Sequence, residues 1–239
     1  MEQDDYNKKW HKWDDVIVYS PAPKHRRRIV LNCIKKYAVK DKKLHDLGCG
    51  NGYFLRLISQ KFKGLLLSGS DISEEVIKQN QLKYSSVKFH YQDIGTDVDV
   101  SNCYDIITCC EVIEHLKDPG IAINNIAKLL KPSGIAIVTI PRGKVHSIDK
   151  MMGHYRHFKN AEAFSKAFVV IDELKWGFPF FNLYKWAINL KPEYMNKQFG
   201  EKKYNAIQKI IANIIYYLFF LNLPIWGNQL ILVLRPKQR

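Results

Sequence analysis

Acidic side chains are scarce in this chain of 239 residues. There are 23 Asp+Glu against 37 Lys+Arg, a formal net charge of +14 and a pI near 9.5. Such a balance favours anionic partners (nucleic acid, phosphorylated small molecules or an anionic membrane face) without choosing among them. Cysteines number five: Cys33, Cys49, Cys103, Cys109 and Cys110. Their odd count and spacings fit no zinc pattern and favour a reducing, cytoplasmic setting. The acidic start Met1-Glu2-Gln3-Asp4-Asp5 carries no apolar h-region, so no secretory signal is expected. The longest apolar stretch, 206–226, is broken by Gln208, Lys209, Asn213 and Asn222. A membrane span wants about 20 mostly apolar residues. This stretch therefore reads as a buried or lid helix, with interfacial membrane contact as the alternative. Repeats and low-complexity blocks are absent, and 46% hydrophobic with 25% charged residues excludes a disordered or collagen-like chain. The length suits one α/β domain with a sizeable core.

What is present is organised as alternating strands and helices from Lys43 to Pro141. Strands are predicted at 44–47, 65–70, 87–91, 104–110 and 135–140. Helices are predicted at 52–61, at 74–82 behind an N-cap at Ser73, and at 118–130 opened by Asp118-Pro119. Residues 131–134 read as a turn. The near-continuous apolar run of 104–110 suits the centre of a sheet. Past Pro141, residues 142–158 read as a basic, His-rich loop, and Asn160 as the cap of a short helix to residue 168. Late strands are predicted at 169–174 and 229–234. Between them, 177–227 is dense in aromatics and too long for an ordinary loop, which makes it a helical cap or a self-association surface, hence a possible homodimer contact. A helix at 24–37 follows an aromatic, charged arm.

The chemistry concentrates in Asp46-Leu47-Gly48-Cys49-Gly50-Asn51-Gly52. A strand ends on a carboxylate and enters a glycine-rich turn that opens a helix. The glycines let the backbone bend sharply and let a ligand approach the main chain, and the helix start offers N–H groups and a positive dipole end. The spacing is neither the G-x-G-x-x-G of dinucleotide enzymes nor a P-loop. Asp46 would repel a pyrophosphate but suits a cationic amine. Asp71, at the tip of the next strand, can accept both hydroxyls of a ribose. Gln92-Asp93-Ile94, after the third strand, offers a carboxylate to an adenine amino group. Together they describe a pocket for an adenosine with a charged amino-acid tail and no phosphate.

With Gly69-Ser70-Asp71-Ile72-Ser73, Gln92-Asp93-Ile94 and 104–116 at matching intervals, the segment 43–141 resembles the class I S-adenosylmethionine-dependent methyltransferases, of the small-molecule type found in quinone-precursor and natural-product pathways. The resemblance implies a Rossmann-like, seven-stranded, mostly parallel sheet with helices on both faces, the last strand antiparallel, plus the helical cap. It also implies that Gly48, Cys49, Gly50 and Gly52 wrap the methionine portion, with Asp46 at the tip of the first strand beside them. Asp71 holds the ribose, Ile72 lies on the adenine and Asp93 with Ile94, beside Gln92, reads its edge. Cys110 accepts from the ammonium through its carbonyl. One domain is expected: arm and first helix 1–42, cofactor core 43–141, substrate loop and late strand 142–176, cap 177–227, last strand 228–239.

Methyl transfer needs alignment and often a base. Candidate bases are Glu111, His115 and His154. If 111–115 is helical, Glu111, Glu114 and His115 share one face, which presents a base, binds a divalent metal or merely packs. His154 or Arg156 in the basic loop is a base or an anion clamp. The expected reaction is transfer to an O, N or C nucleophile of a small molecule, without metal. One alternative is a metal-dependent RNA 3′-terminal 2′-O-methyltransferase, which the set Glu111, Glu114, His115 and His154 resembles. Another is a non-catalytic cofactor-binding regulator. The arm, with Trp10, Trp13, Tyr19 and His25-Arg26-Arg27-Arg28, either closes over the site or is a solvated face.

Overall fold

Segments such as Ile106–Cys109 and Ile135–Ile140 have no polar alternation beyond single threonines, and the fold accounts for it by burying both faces of the central strands. A computed structural model describes residues 14–99, 101–201 and 203–237. Seven strands form one sheet: β1 (Lys43–Leu47), β2 (Leu66–Asp71), β3 (Lys88–Tyr91), β4 (Tyr104–Cys110), β5 (Leu130–Pro141), β6 (Phe168–Trp176) and β7 (Gln229–Pro236). Their order is β3-β2-β1-β4-β5-β7-β6. The pairs from β3 through β5 are parallel, and β7 runs antiparallel between β5 and β6.

The helices are α1 (Asp14–Tyr19), α2 (Pro21–Lys35), α3 (Tyr53–Lys61), α4 (Glu74–Lys83), α5 (Pro119–Leu129), α6 (Ser147–Met151), α7 (Phe180–Ile188), α8 (Pro192–Glu201) and α9 (Ala206–Leu218). Alternate strand residues feed two cores. Ile107, Cys109, Val138 and Leu232 pack with Ile123 and Ile126 of α5. Ile106, Ile137 and Val233 pack with Val30 and Ile34 of α2 and with Leu55 and Ile58 of α3. A third cluster joins Trp176, Phe181, Phe219 and Ile231 under the segment from Gly177 to Gly227.

Side chains close the helix starts as expected: Ser73 accepts from the Val76 N–H at 3.3 Å, and Asp118 accepts from the Gly120 N–H at 2.8 Å. Four local expectations are corrected. The turn at 131–134 lies within β5, as an irregularity that re-registers Ile106 opposite Ile135. The loop 142–158 contains α6, whose start is closed by Asp149 accepting from the His146 N–H at 2.8 Å. The helix expected after Asn160 is only a 3₁₀ turn, Ala161–Phe164. The first long helix begins at Pro21, where proline fits the first helical turn. Among the described residues no helix is long and apolar enough to cross a membrane.

Candidate active site

The sheet changes direction of winding between β1 and β4, and doubly wound folds bind ligands at the carboxyl ends of their strands at such a point. Here a cavity of about 430 Å³ opens there. Its floor is the loop after β1. Gly48 and Gly52 take φ of 71° and 70°. A Cβ on Gly48 would sit 2.3 Å from Val112 Cγ2, and one on Gly52 would sit 2.8 Å from the Tyr84 ring. Side chains at either position would be strained in backbone and blocked in space.

Asp71 organises this loop from the tip of β2. One carboxylate oxygen accepts from the Gly50 N–H at 2.9 Å and the other from the Ser73 N–H at 3.0 Å. The Ile72 N–H acts on the same carboxylate. The Asn80 amide donates to the Gly50 carbonyl at 2.6 Å and pins the loop from α4. Asp46 is buried and accepts from the Thr108 hydroxyl at 2.6 Å. Burial pushes its carboxyl up to about 7, the Thr108 bond works against this, and Asp71 adds to it. Asp71 is also raised by burial, against the pull of its backbone N–H bonds. Two neighbouring buried acids thus face one cavity, an arrangement that a cationic ligand would relieve.

Ile72, Gln92, Asp93, Ile94, Cys49 and Cys110 all line the same cavity. Gln92 accepts from the Ser70 hydroxyl at 3.0 Å, and Asp93 accepts from the Gly95 N–H at 2.8 Å. Gly50 contributes through its backbone bonds to Asp71 and Asn80.

All three candidate bases line this cavity, and the structure brings two of them together. Residues 113–115 form a single 3₁₀ turn, and Glu111 precedes it with φ of 58°. The helical face expected for Glu111, Glu114 and His115 therefore does not exist. Glu111 points to β5, β7 and α2: it accepts from Thr139 Oγ1 at 3.0 Å and Gln229 Nε2 at 2.8 Å, and pairs with Arg26 at 3.3 Å. Glu114 is fully buried with neither carboxylate oxygen hydrogen-bonded, and burial beside Glu111 holds its carboxyl well above the usual range.

His115 Nδ1 donates to the Gly153 carbonyl at 3.2 Å, which leaves the acceptor lone pair on Nε2. His154 lies edge-on to His115, with ring centres 4.6 Å apart, and its Nδ1 is 3.1 Å from His157 Nε2. Burial, then the neighbouring His115, lowers the His154 imidazole to about 2, so it is neutral at physiological pH. Ligating atoms of Glu114, His115 and His154 lie within 4.8 Å of one another, as do those of Asp149, His154 and His157. Mixed carboxylate and imidazole donors of this kind suit a divalent ion. Glu111 belongs to neither set. Arg156, the alternative to His154 in that loop, donates to the Lys117 carbonyl at 2.6 Å.

The opposite wall was not legible in the motifs. Val16 and Ile17 of α1, Arg26 and Val30 of α2, and Phe181, Tyr184, Lys185 and Ile188 of α7 close the cavity. Asp14 accepts from the Asn51 amide at 2.6 Å and ties α1 to the glycine loop. Buried Lys185 reaches Asp149 at 3.3 Å. Trp10 and Trp13, read as part of a closing arm, lie outside the described residues. Arg26 gave a signal only as part of a basic run, and Gln229 none beyond being a polar residue at the head of an apolar strand.

The fold and this niche define a domain of the class I, S-adenosylmethionine-dependent type. Comparison with known proteins agrees. Residues 23–187 match a family described as a methyltransferase domain, and the chain belongs to that family. It is 32% identical over 126 residues to the ubiquinone biosynthesis O-methyltransferase of Coxiella burnetii, covering 48% of this chain and 53% of that protein. To the Chromobacterium violaceum protein of the same name it is 27% identical over 140 residues, covering 56% and 60%. The chain thus spans about half the length of the curated relatives it matches. The N-methyltransferase NodS of Bradyrhizobium japonicum shares the fold, with a TM-score of 0.63 at 14% identity over 99% of this chain and 98% of that one. A sarcosine dimethylglycine methyltransferase-like structure from Galdieria sulphuraria also shares it, with a TM-score of 0.60 at 16% identity over 89% and 84%.

Proposed function

We propose that this protein moves the methyl group of S-adenosylmethionine to a nucleophile on a small, largely apolar acceptor, with oxygen favoured over nitrogen or carbon. One observation carries the reading: a single cavity joins the Gly48–Asp71 niche to His115 and His154. Within the niche, the Asp71 carboxylate suits the ribose hydroxyls. Ile72 suits an adenine face, and Asp93 with the Ile94 backbone suits its edge. The paired acids Asp46 and Asp71 suit a ligand carrying positive charge.

When bound, the cofactor supplies an electrophilic methyl group on a sulfonium. The protein's task is to hold an acceptor about 3–3.5 Å away and in line. His154, neutral and buried, is the proposed base, with His115 beside it to orient the acceptor. A proton arriving on such an imidazole is ordinarily costly. Here it arrives as the sulfonium loses its charge, so the net charge of the pocket does not change. Glu111, held by three partners, acts as an anchor for Arg26 and α2 rather than as a base.

The apolar wall of Ile17, Phe181 and Ile188 favours a lipophilic acceptor, and the names of the ubiquinone-pathway relatives support oxygen as the attacked atom. The metal-dependent RNA reading is favoured by one observation, the convergence of Glu114, His115 and His154. A non-catalytic regulator would have no use for that convergence.

Calorimetry with S-adenosylhomocysteine tests the niche, and absence of binding at millimolar ligand overturns the proposal. Turnover of catechols with and without an apolar tail, set against short RNA, tests the acceptor class. Methylation of RNA alone would replace the small-molecule reading.

A further inference from the structure

Helix α9 carries an apolar stripe on the wrong side for a core. Its inner face, with Ala212, Ile215 and Tyr216, packs toward α2, where the Tyr216 ring lies 5.7 Å from that of His25. Its outer face repeats Ile207, Ile210, Ile211, Ile214, Tyr217 and Leu218, at the three- and four-residue spacing of one helical face. Ile207, Ile210, Ile214 and Tyr217 are 67%, 60%, 57% and 66% exposed. Soluble surfaces expose single apolar residues freely, but a helix-long stripe of isoleucine marks a surface that meets something.

The surroundings identify the partner. Trp186, Tyr194, Phe220 and Trp226 on the same segment are also exposed. Indole and phenol rings of this kind sit at the boundary between acyl chains and headgroups. From Gly177 to Gly227 there are six lysines and two glutamates, and the whole chain carries +14. Beside the helix, Lys24 lies 4.1 Å from the centre of the Tyr216 ring and Arg28 4.0 Å from that of Phe220. A second copy would bring two such cationic surfaces together, whereas an anionic bilayer complements them.

We infer that the outer face of α9, with Phe220 stacked on its Tyr217, seats this protein on an anionic lipid surface. The helix lies in the interface, its 13 residues running for about 20 Å. The other side of α2, through Arg26 and Val30, lines the cavity. The active cavity then lies one helix layer from the lipid. This inference does not depend on which acceptor is methylated.

The test is flotation of the full chain with vesicles of phosphatidylcholine containing about 30% phosphatidylglycerol. The expected result is co-flotation at 0.1 M salt and at least tenfold weaker binding to pure phosphatidylcholine vesicles. The double variant Ile210→Asp/Ile214→Asp should bind anionic vesicles at least tenfold more weakly while binding S-adenosylhomocysteine as the wild type does, since neither residue lines the cavity. Ile207→Asp/Ile211→Asp should behave alike, which guards against one pair failing to fold. Failure of the wild type to float with anionic vesicles, or undiminished binding by both variants, overturns the inference. So does a wild-type dimer in sedimentation that the variants dissociate, because the stripe would then be a surface between copies.

Discussion

Replacing Asp71 by alanine removes the group on which the proposed nucleoside site turns. Its two oxygens accept from the Gly50 N–H at 2.9 Å and the Ser73 N–H at 3.0 Å. The acceptor capacity that remains is what the proposal assigns to the two ribose hydroxyls. A hydrogen bond to a charged acceptor contributes roughly 1.5–3 kcal/mol, and two that share a carboxylate are not fully additive, so the loss should be about 2–4 kcal/mol. That is about 30- to 700-fold in the dissociation constant. Titration calorimetry with S-adenosylhomocysteine reads it directly. Asp71→Asn should fall between, because its amide keeps one acceptor oxygen and sets an NH₂ against one of the two backbone N–H groups. Because the loop also loses a brace, each variant's melting temperature is measured alongside. An affinity within about threefold of wild type, in a protein that still melts cooperatively, would refute the placement of the ribose.

Other expectations follow from the same geometry. Asp46, whose carboxyl is pushed up to about 7 in the folded, ligand-free protein, is protonated in the native state between the ordinary value of 3.8 and 7 while the unfolded chain is ionised. Its contribution to stability is therefore present at low pH and lost as pH rises through about 7. Binding of cationic S-adenosylmethionine should favour the ionised form, release protons near pH 6 and tighten toward pH 8. Calorimetry in two buffers of different ionisation enthalpy should detect this, and Asp46→Asn should abolish it. His154→Ala should lower kcat by about 10²- to 10⁴-fold with little change in S-adenosylhomocysteine affinity, the scale of a lost general base; equal loss of both would mean a structural role. Glu111→Gln removes the ion pair to Arg26 and should cost about 1–2 kcal/mol, lowering the melting temperature by roughly 2–8 °C in a chain of this size; a larger fall in kcat than in stability would restore Glu111 as a base. Treatment with EDTA followed by Mn²⁺ separates the two acceptor readings, since activity that needs the ion points to Glu114, His115 and His154 as its ligands.

How much of this could be read from residues alone depended on distance along the chain. The turn at Gly48–Gly52 and the carboxylates at strand tips are local: each is a strand followed by a bend, and the alternating pattern places it without knowledge of the rest. The partners of Glu111 were hidden for an equally local reason. A single residue at φ of 58° turns its side chain toward Thr139 and Gln229, and nothing in the string Glu111-Val112-Ile113-Glu114-His115 announces that backbone state. The approach of His115 to His154 spans 39 residues and depends on α6, which was hidden in a stretch read as loop because five residues are too few to show helical periodicity. Arg26, Tyr184 and Lys185 reach the cavity only through the packing of α2 and α7 over the strand ends, which is a tertiary fact.

The segment from Gly177 to Gly227 leaves β6 at Trp176 and rejoins the sheet at Gln229, and those two residues are partners across neighbouring strands. In polymer terms it is a long excursion between two fixed, adjacent anchor points. Doubling the length of a flexible excursion of this kind costs only about 0.6 kcal/mol in closure entropy. The sheet would thus tolerate an exchanged or resized insert far better than a change in any central strand. Since α7 belongs to the insert while the glycine turn and Asp71 do not, such a molecule could acquire a new clientele by trading one cassette and leaving its nucleoside chemistry alone.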